Sequence, residues 1–165
     1  MSLVARECGI SKANIYHYYD GKDALLFDIL DTYLRALRDR LRKLPLQGLA
    51  PPDQLRRLVG ETLLAYDGMD HEHKIQTEGI PLLEQDRQEI LKGYQLDMIR
   101  QMSGILAGTA PDVFDGDRAK LRAATMSVFG MLNWFYMWNG NADRDTREAY
   151  GELVAELTLN GLSGI

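Results

Sequence analysis

Apolar side chains recur at intervals of three and four residues along most of the chain. Such intervals place side chains on one face of an α-helix, whereas a half-buried strand alternates apolar and polar residues. The apolar stripes run through 23–43, 53–66, 86–106, 118–138 and 146–162, with a short further segment at 71–79. No alternating pattern competes with these stripes. The sequence therefore predicts an all-α protein of about seven or eight helices.

The N-terminal stretch divides into two short helical segments around a glycine. Leu3 and Cys8 belong to a short helical stripe, and Gly9 follows where a left-handed turn ends a helix at little steric cost. Ser11 is a favoured N-cap for a second segment, 12–19. A helix, a tight turn and a capped second helix form the layout of a helix-turn-helix, whose second helix enters the major groove of DNA.

Side chains on and just after the second segment are candidates for contacting DNA. They are Lys12, Ala13, Asn14, Tyr16, His17 and Lys22. The lysines offer positive charge to phosphate, while the tyrosine hydroxyl and the imidazole can donate to a phosphate or a base edge. An ordinary helical hairpin with a solvated polar face is the alternative interpretation.

The distribution of charge supports DNA binding only modestly. The net charge of -5 argues against nucleic-acid binding by the chain as a whole. Residues 1–43 contain eight basic and six acidic residues, a net of +2, which leaves -7 for residues 44–165. The acidic excess therefore lies away from the proposed DNA face.

Composition and motifs narrow the possible functions further. With 45% hydrophobic residues, the chain can bury a core, and it has neither a membrane-length apolar run nor an N-terminal signal segment, so we expect a cytoplasmic protein. Cys8 is the only cysteine, which excludes an internal disulfide. The histidines of His71-Glu72-His73 lack the spacing of zinc hydrolases, and no nucleophile–base pair or phosphate loop is recognisable. We therefore expect no metal, no cofactor and no enzymatic activity.

Three runs near the N-terminus match a known pattern in one register. They are Val4-Ala5-Arg6-Glu7-Cys8-Gly9-Ile10-Ser11-Lys12, Ile15-Tyr16-His17-Tyr18-Tyr19 and Lys22-Asp23-Ala24-Leu25-Leu26. Together they resemble the DNA-binding signature of TetR-family transcriptional regulators. Two departures are mild, since Tyr19 stands where the family usually has Phe, and Gly21 stands where Ser often caps the following helix. By this resemblance, Tyr16, His17 and Lys22 contact the DNA backbone and 12–14 meet the bases.

The resemblance also implies an architecture and a function. It implies a helix-turn-helix region with its connecting helix at 1–43, a ligand-binding and dimerisation domain at 44–165, and a further helix before Ser2 that this chain lacks. The expected protein is a homodimeric regulator, most often a repressor, that a small-molecule effector releases from its double-stranded DNA operator. The stripes of 118–138 and 146–162 carry more apolar surface than one small bundle can cover, which favours pairing with a second copy. The alternative is a helical dimeric interaction module that no longer binds DNA.

An effector would enter the core between the helices predicted at 53–66, 71–79, 86–106 and 118–138. The candidate ligand-binding residues are Tyr66, His73, Tyr94, Met98, Met102, Met131, Trp134 and Trp138. Their mixture favours an apolar ligand with a polar end, such as a fatty-acyl or aromatic compound, although such residues at helical spacing are also typical of a plain core. Trp134 and Trp138 could each find a partner for the indole N–H by lining a cavity or by lying at the end of the dimer seam. We expect at least one, Trp134, to face a cavity formed with Tyr94, Met98 and Met102, because methionine adapts to varied apolar shapes.

Overall fold

The computed structural model describes residues 1–162, and in that part it contains nine α-helices and no strand. The helices are α1 (Ser2–Glu7), α2 (Lys12–Tyr18), α3 (Lys22–Arg42), α4 (Pro51–Ala65), α5 (Asp70–Gly79), α6 (Gln85–Thr109), α7 (Pro111–Phe114), α8 (Arg118–Trp138) and α9 (Arg144–Leu162). A short 3-10 turn, Ile80–Leu82, follows α5. The all-α prediction is confirmed, and the additional helix is α7, which starts at a proline between the predicted stripes 86–106 and 118–138.

Two helix starts differ from those that the sequence suggests. Helix α4 begins two residues before the predicted stripe, at Pro51, where a missing N–H costs nothing. Helix α9 begins two residues before its stripe, at Arg144. At this start the Asp143 carboxylate accepts a hydrogen bond from the Thr146 backbone N–H at 2.9 Å, and hydrogen bonds from the side chain and the backbone N–H of Thr146 lower the pKa of Asp143.

Helix α4 lies at the centre of the bundle and packs against α9, α6, α3 and α8. The crossing of α4 and α9 is unusually close, because a Cβ placed on Gly151 would lie 3.1 Å from the Cα of Gly60. Leucines fill much of the interior; those with no more than 2% exposure are Leu30, Leu34, Leu41, Leu55, Leu58, Leu63, Leu91, Leu106 and Leu132. Helix α3 packs along α6 within the same core, so the helix that follows α2 is an integral part of the bundle.

A buried arginine fixes the start of α9. Arg147 is 2% exposed, and its Nε donates a hydrogen bond to the Ala142 carbonyl at 3.2 Å. Its guanidinium lies 3.6 Å from an oxygen of Asp67 and 3.9 Å from one of Asp70. The turn after α4 and the turn before α9 are thereby held together.

The outward side of α8 and α9 is apolar. The exposed side chains there are Met126, Trp134, Met137, Trp138, Leu153 and Leu157, which we call the α8–α9 face. The predicted excess of apolar surface on these two helices is therefore confirmed. Among residues 1–162, no helix is both long and apolar enough to span a bilayer.

Candidate functional site

The turn between α1 and α2 has the predicted geometry. Gly9 adopts φ of 65°, and the Ser11 hydroxyl accepts a hydrogen bond from the Asn14 backbone N–H at 3.0 Å. Ala5 of α1 and Ile15 of α2 are buried, with 4% and 5% exposure. These contacts hold the two helices together and leave the opposite side of α2 free.

All six side chains predicted to contact DNA lie at the surface. Lys12, Ala13, Asn14, Tyr16, His17 and Lys22 are exposed, the first five along α2 and the last at the start of α3. The Lys12 ammonium lies 5.6 Å from the centroid of the Tyr16 ring, which brings a cation and a hydroxyl-bearing ring together. We call this set the α2 face.

One aromatic side chain beside the α2 face was missed by the sequence reasoning. Tyr18 is 73% exposed, and its ring packs edge-on against that of His17 with centroids 5.0 Å apart. The consecutive tyrosines of the motif were the available signal, but spacing alone does not say which of two neighbouring rings points outward.

Tyr19 joins the α2 segment to α3. Its hydroxyl donates a hydrogen bond to the Asp28 carboxylate at 2.7 Å, and this bond raises the pKa of the Tyr19 phenol. The phenylalanine that is usual at this position in the resembled signature could not form the bond. Asp28 in turn lines a large cavity, so this exposed residue links the α2 segment to that cavity.

Two cavities lie on either side of Leu37 of α3. The outer cavity has a volume of about 460 Å³ and is lined by Asp28, Ile29, Thr32, Tyr33, Ala36, Leu37, Arg40, Ala65, Met69 and Glu72. The inner cavity has a volume of about 180 Å³ and is lined by Leu34, Leu37, Tyr66, Gln76, Gln95, Met98, Ile99, Met126, Phe129 and Asn133. Both cavities therefore border the helix that continues from the α2 segment.

A buried histidine separates the two cavities. His73 Nδ1 lies 3.1 Å from the Tyr33 hydroxyl and 3.2 Å from the Gln76 side-chain nitrogen. Burial lowers the pKa of His73, and a hydrogen bond with the Asn133 backbone and the charge of Asp70 only partly oppose this. Burial also raises the pKa of Tyr33, so both side chains are neutral at physiological pH.

The network around His73 joins four helices and the residue that follows α4. Besides Tyr33 on α3 and Gln76 on α5, it includes the Asn133 side chain on α8. Asn133 accepts a hydrogen bond at 2.8 Å from the hydroxyl of Tyr66, the residue that caps the end of α4. The Gln95 side-chain nitrogen on α6 donates a hydrogen bond to the Gln76 side-chain oxygen at 3.4 Å. The Tyr66 ring also packs on the imidazole, with centroids 4.7 Å apart. Because these hydrogen bonds are connected, a change at any of these groups can alter the hydrogen bond between His73 and Tyr33 of α3.

The structure brings together only part of the predicted effector pocket. Tyr66 and Met98 line the inner cavity. His73 is hydrogen-bonded to Gln76, which lines the same cavity. Met102 is completely buried, and Met131 is partly buried against the core. The Tyr94 hydroxyl donates to Asp31 at 2.9 Å.

The expected cavity between Trp134, Tyr94, Met98 and Met102 is wrong in its geometry. Trp134 is 61% exposed and Trp138 is 58% exposed, and both belong to the α8–α9 face. Helix α8 has two apolar sides, and its periodicity does not reveal which side faces the core. The inner cavity instead uses Phe129 and Asn133 of this helix.

The polar residues of the inner cavity were missed as site residues. Asn133 lies among apolar neighbours on the inward side of α8, and Gln76 is buried beside His73 on α5. A polar side chain on the inward side of a helix was a usable signal. The side chains of His71 and His73 lie on different sides of α5, because His71 is exposed and His73 is buried. No three metal-ligating side chains cluster closely enough among the described residues to hold an ion.

Comparisons with known proteins match both parts of the chain. Residues 1–29 match the family model of bacterial regulatory proteins of the tetR family, and residues 48–162 match that of tetracyclin repressor-like C-terminal domains. No curated protein sequence matches the chain significantly.

Solved structures with the same fold cover nearly the whole chain. A TetR-family transcriptional regulator from Bordetella parapertussis is 28% identical, with a TM-score of 0.89 over 99% of this chain and 85% of that one. The TetR-family regulator PfmR from Thermus thermophilus is 21% identical, with a TM-score of 0.81 over 96% of this chain and 86% of that one. A bacterial regulatory protein in the tetR family from Rhodococcus is 16% identical, with a TM-score of 0.77 over 94% of this chain and 83% of that one.

Proposed function

Since this chain belongs to the TetR family of bacterial regulatory proteins, we propose that it is a homodimeric, ligand-responsive repressor that acts on an operator in the cytoplasm. Regulators of this family are DNA-binding proteins and not enzymes. The proposal covers the residues of this chain that contact DNA, the assembly of the chain and its response to a ligand.

The exposed α2 face carries the proposal of DNA binding. It presents two lysines, a tyrosine and a histidine, all exposed, on and just after the second helix of a helix-turn-helix. Lys12 and Lys22 suit phosphate oxygens, and Asn14 near the N-terminal end of α2 is placed to meet base edges. In the proposed homodimer, the paired helical bundles set the distance between the two α2 faces.

The position of the cavities supports ligand control. Both border α3, which continues directly from the α2 segment. A ligand that binds one arrangement of α3 more tightly than another shifts the protein toward that arrangement, and operator affinity follows.

The α8–α9 face supports the proposed homodimer. Its six exposed apolar side chains would be buried by a second copy of the same face, as a twofold interface requires. A dimer also places two α2 faces for the two half-sites of one operator.

Operator selection from random double-stranded DNA, followed by fluorescence anisotropy, tests the proposed function. The double substitution Tyr16→Phe and His17→Ala removes two donors to DNA and should lower affinity about tenfold or more. His71→Ala is the matched control, since His71 is an exposed histidine on α5, remote in sequence from the α2 face. Unchanged affinity in the double variant would remove Tyr16 and His17 from the interface. Failure to select any sequence would favour the interaction module without DNA binding.

A further inference from the structure

The inner cavity differs from the outer one in the charge of its walls. Of the described residues that line the inner cavity, none is ionisable except Tyr66, whose pKa is raised by complete burial. The outer cavity, in contrast, contains Asp28, Arg40 and Glu72. A charged group in the inner cavity would therefore lose its hydration without gaining an opposite charge.

The polar atoms of the inner wall are all neutral amides or a phenol. Tyr66, Gln76, Gln95 and Asn133 lie among Leu34, Leu37, Met98, Ile99, Met126 and Phe129. Such a wall offers both hydrogen-bond donors and acceptors, embedded in an apolar surface. It suits a molecule that is mostly apolar and carries one uncharged polar group.

The hydrogen bonds determine the state of the central histidine. Because the Gln76 oxygen accepts from Gln95, its nitrogen faces His73 Nδ1, which also faces the Tyr33 hydroxyl. A ring nitrogen between two donors must accept, so we assign the imidazole proton to Nε2. This tautomer agrees with the hydrogen bond between His73 and the Asn133 backbone. The hydrogen bonds of His73 thus require only its neutral form.

The size of the inner cavity limits its occupant. Its volume of about 180 Å³ is slightly larger than that of an apolar cavity of about 150 Å³ that holds benzene in another protein. Met126 lines the cavity and is 44% exposed, so it marks the side on which the cavity reaches the surface.

We propose that the inner cavity binds a small uncharged molecule, or the uncharged end of a larger one, of about one aromatic ring with a single neutral hydrogen-bonding group such as an amide or a hydroxyl. This inference rests on the proposed function, because it names the class of effector for the same bundle. The ligand's polar group joins the hydrogen bonds of Gln76 or Asn133, and His73 passes the change to Tyr33 on α3.

Isothermal calorimetry with benzamide, benzyl alcohol and benzoate on the DNA-free protein tests the ligand class. Benzamide and benzoate have nearly the same shape, so they differ mainly in charge. The two neutral compounds should bind about tenfold or more tightly than benzoate at neutral pH. Equal or tighter binding of benzoate, or no binding of either neutral compound, would overturn the proposal.

One variant locates the binding in the inner cavity. Ile99→Phe fills the inner cavity and should abolish benzamide binding while the protein stays folded, so binding that persists in this variant contradicts the proposal.

Tyr33→Phe tests the route to α3. It removes one hydroxyl that donates to His73 and keeps the ring, so benzamide binding should stay within a fewfold of the original. The concentration of benzamide that releases the selected operator should rise about tenfold, because the ligand no longer acts on α3. Release at an unchanged concentration would refute the route. Because the calorimetry uses no DNA, a failure of the ligand class and a failure of DNA binding give separate results.

Discussion

The two surfaces that this protein leaves uncovered have opposite chemistry. The α2 face exposes lysine, asparagine, tyrosine and histidine, whereas the α8–α9 face exposes tryptophan, methionine and leucine. The first remains well solvated in the free protein and gains energy mainly where phosphate replaces water. The second exposes apolar surface to water until a partner covers it. The comparison assigns polar recognition to the α2 face and assembly to the α8–α9 face.

The strongest test of this comparison is a charge on the α8–α9 face. Leu157 is 56% exposed, and a twofold interface would bury it once in each copy. Leu157→Glu should therefore weaken dimerisation by about 2–3 kcal/mol or more, since it removes the burial of about half of a leucine side chain in each copy and places two carboxylates in the interface. Sedimentation should show a monomer, and the emission of Trp134 and Trp138 should resemble that of exposed indoles.

Leu82→Glu serves as the control for that substitution. Leu82 is 66% exposed on the 3-10 turn, outside the α8–α9 face, so its replacement should leave the dimer intact. A dimer that persists in Leu157→Glu, or an unmodified protein that is monomeric at micromolar concentration, would show that the α8–α9 face has another purpose.

The helices themselves were largely predictable from the sequence. The stripe through 118–138 matches α8 at both ends, and the stripe through 23–43 differs from α3 by one residue at each end. Apolar periodicity succeeds here because each helix must bury one side. Apolar periodicity does not predict the orientation of α8, because this helix has a second apolar side. That side faces outward and carries both Trp134 and Trp138.

Helix α9 carries part of the α8–α9 face and is positioned by its close crossing with α4. This crossing offers a second test of the comparison. Gly151→Leu would force a side chain against the backbone of Gly60, which cannot move aside. We expect a loss of about 1–3 kcal/mol or more in the free energy of unfolding. The matched substitution is Gly104→Leu on α6, where a Cβ meets nothing within 4 Å and a better helix former should stabilise slightly. Urea denaturation measures both, and equal effects would mean that the crossing is not tight.

The interior histidine makes the stability of the protein depend on pH. Burial lowers the pKa of His73 below its ordinary value of 6.5, so the unfolded chain takes up its proton first as the pH falls. The contribution of His73 to stability is therefore constant above pH 6.5 and is lost below it, by at most about 1.4 kcal/mol per pH unit until the folded protein also protonates.

Urea denaturation above and below pH 6.5 measures this effect. His73→Gln should be less stable at neutral pH, because it breaks the bond to Tyr33, but its stability should fall less steeply in acid. Identical slopes in the two proteins would show that His73 does not titrate between the folded and unfolded states.

The α2 face was predictable residue by residue, whereas the cavities were not. A helix-turn-helix exposes one side of its second helix, so a motif in one register predicts that all six side chains lie at the surface, five on α2 and Lys22 at the start of α3. Their contacts with DNA stay a prediction. The inner cavity instead combines residues from four different helices and from the turn after α4; they are Leu34, Tyr66, Gln76, Gln95 and Asn133. Which inward positions leave space between them depends on how the helices cross, and a linear pattern does not contain those angles.

The smallest expected effect belongs to a single charge on the α2 face. Lys22→Gln removes one cation at the start of α3 and should weaken binding to all DNA sequences about equally, with a salt-dependence slope smaller by about one. Lys43→Gln is the matched control, because Lys43 is an exposed lysine at the other end of the same helix, roughly 30 Å away. Anisotropy titrations over a range of salt concentrations separate the two. Should Lys22→Gln change the preference among operator sequences and leave the salt slope untouched, Lys22 contacts a base, and the boundary between the phosphate-binding and base-reading parts of the α2 face lies elsewhere.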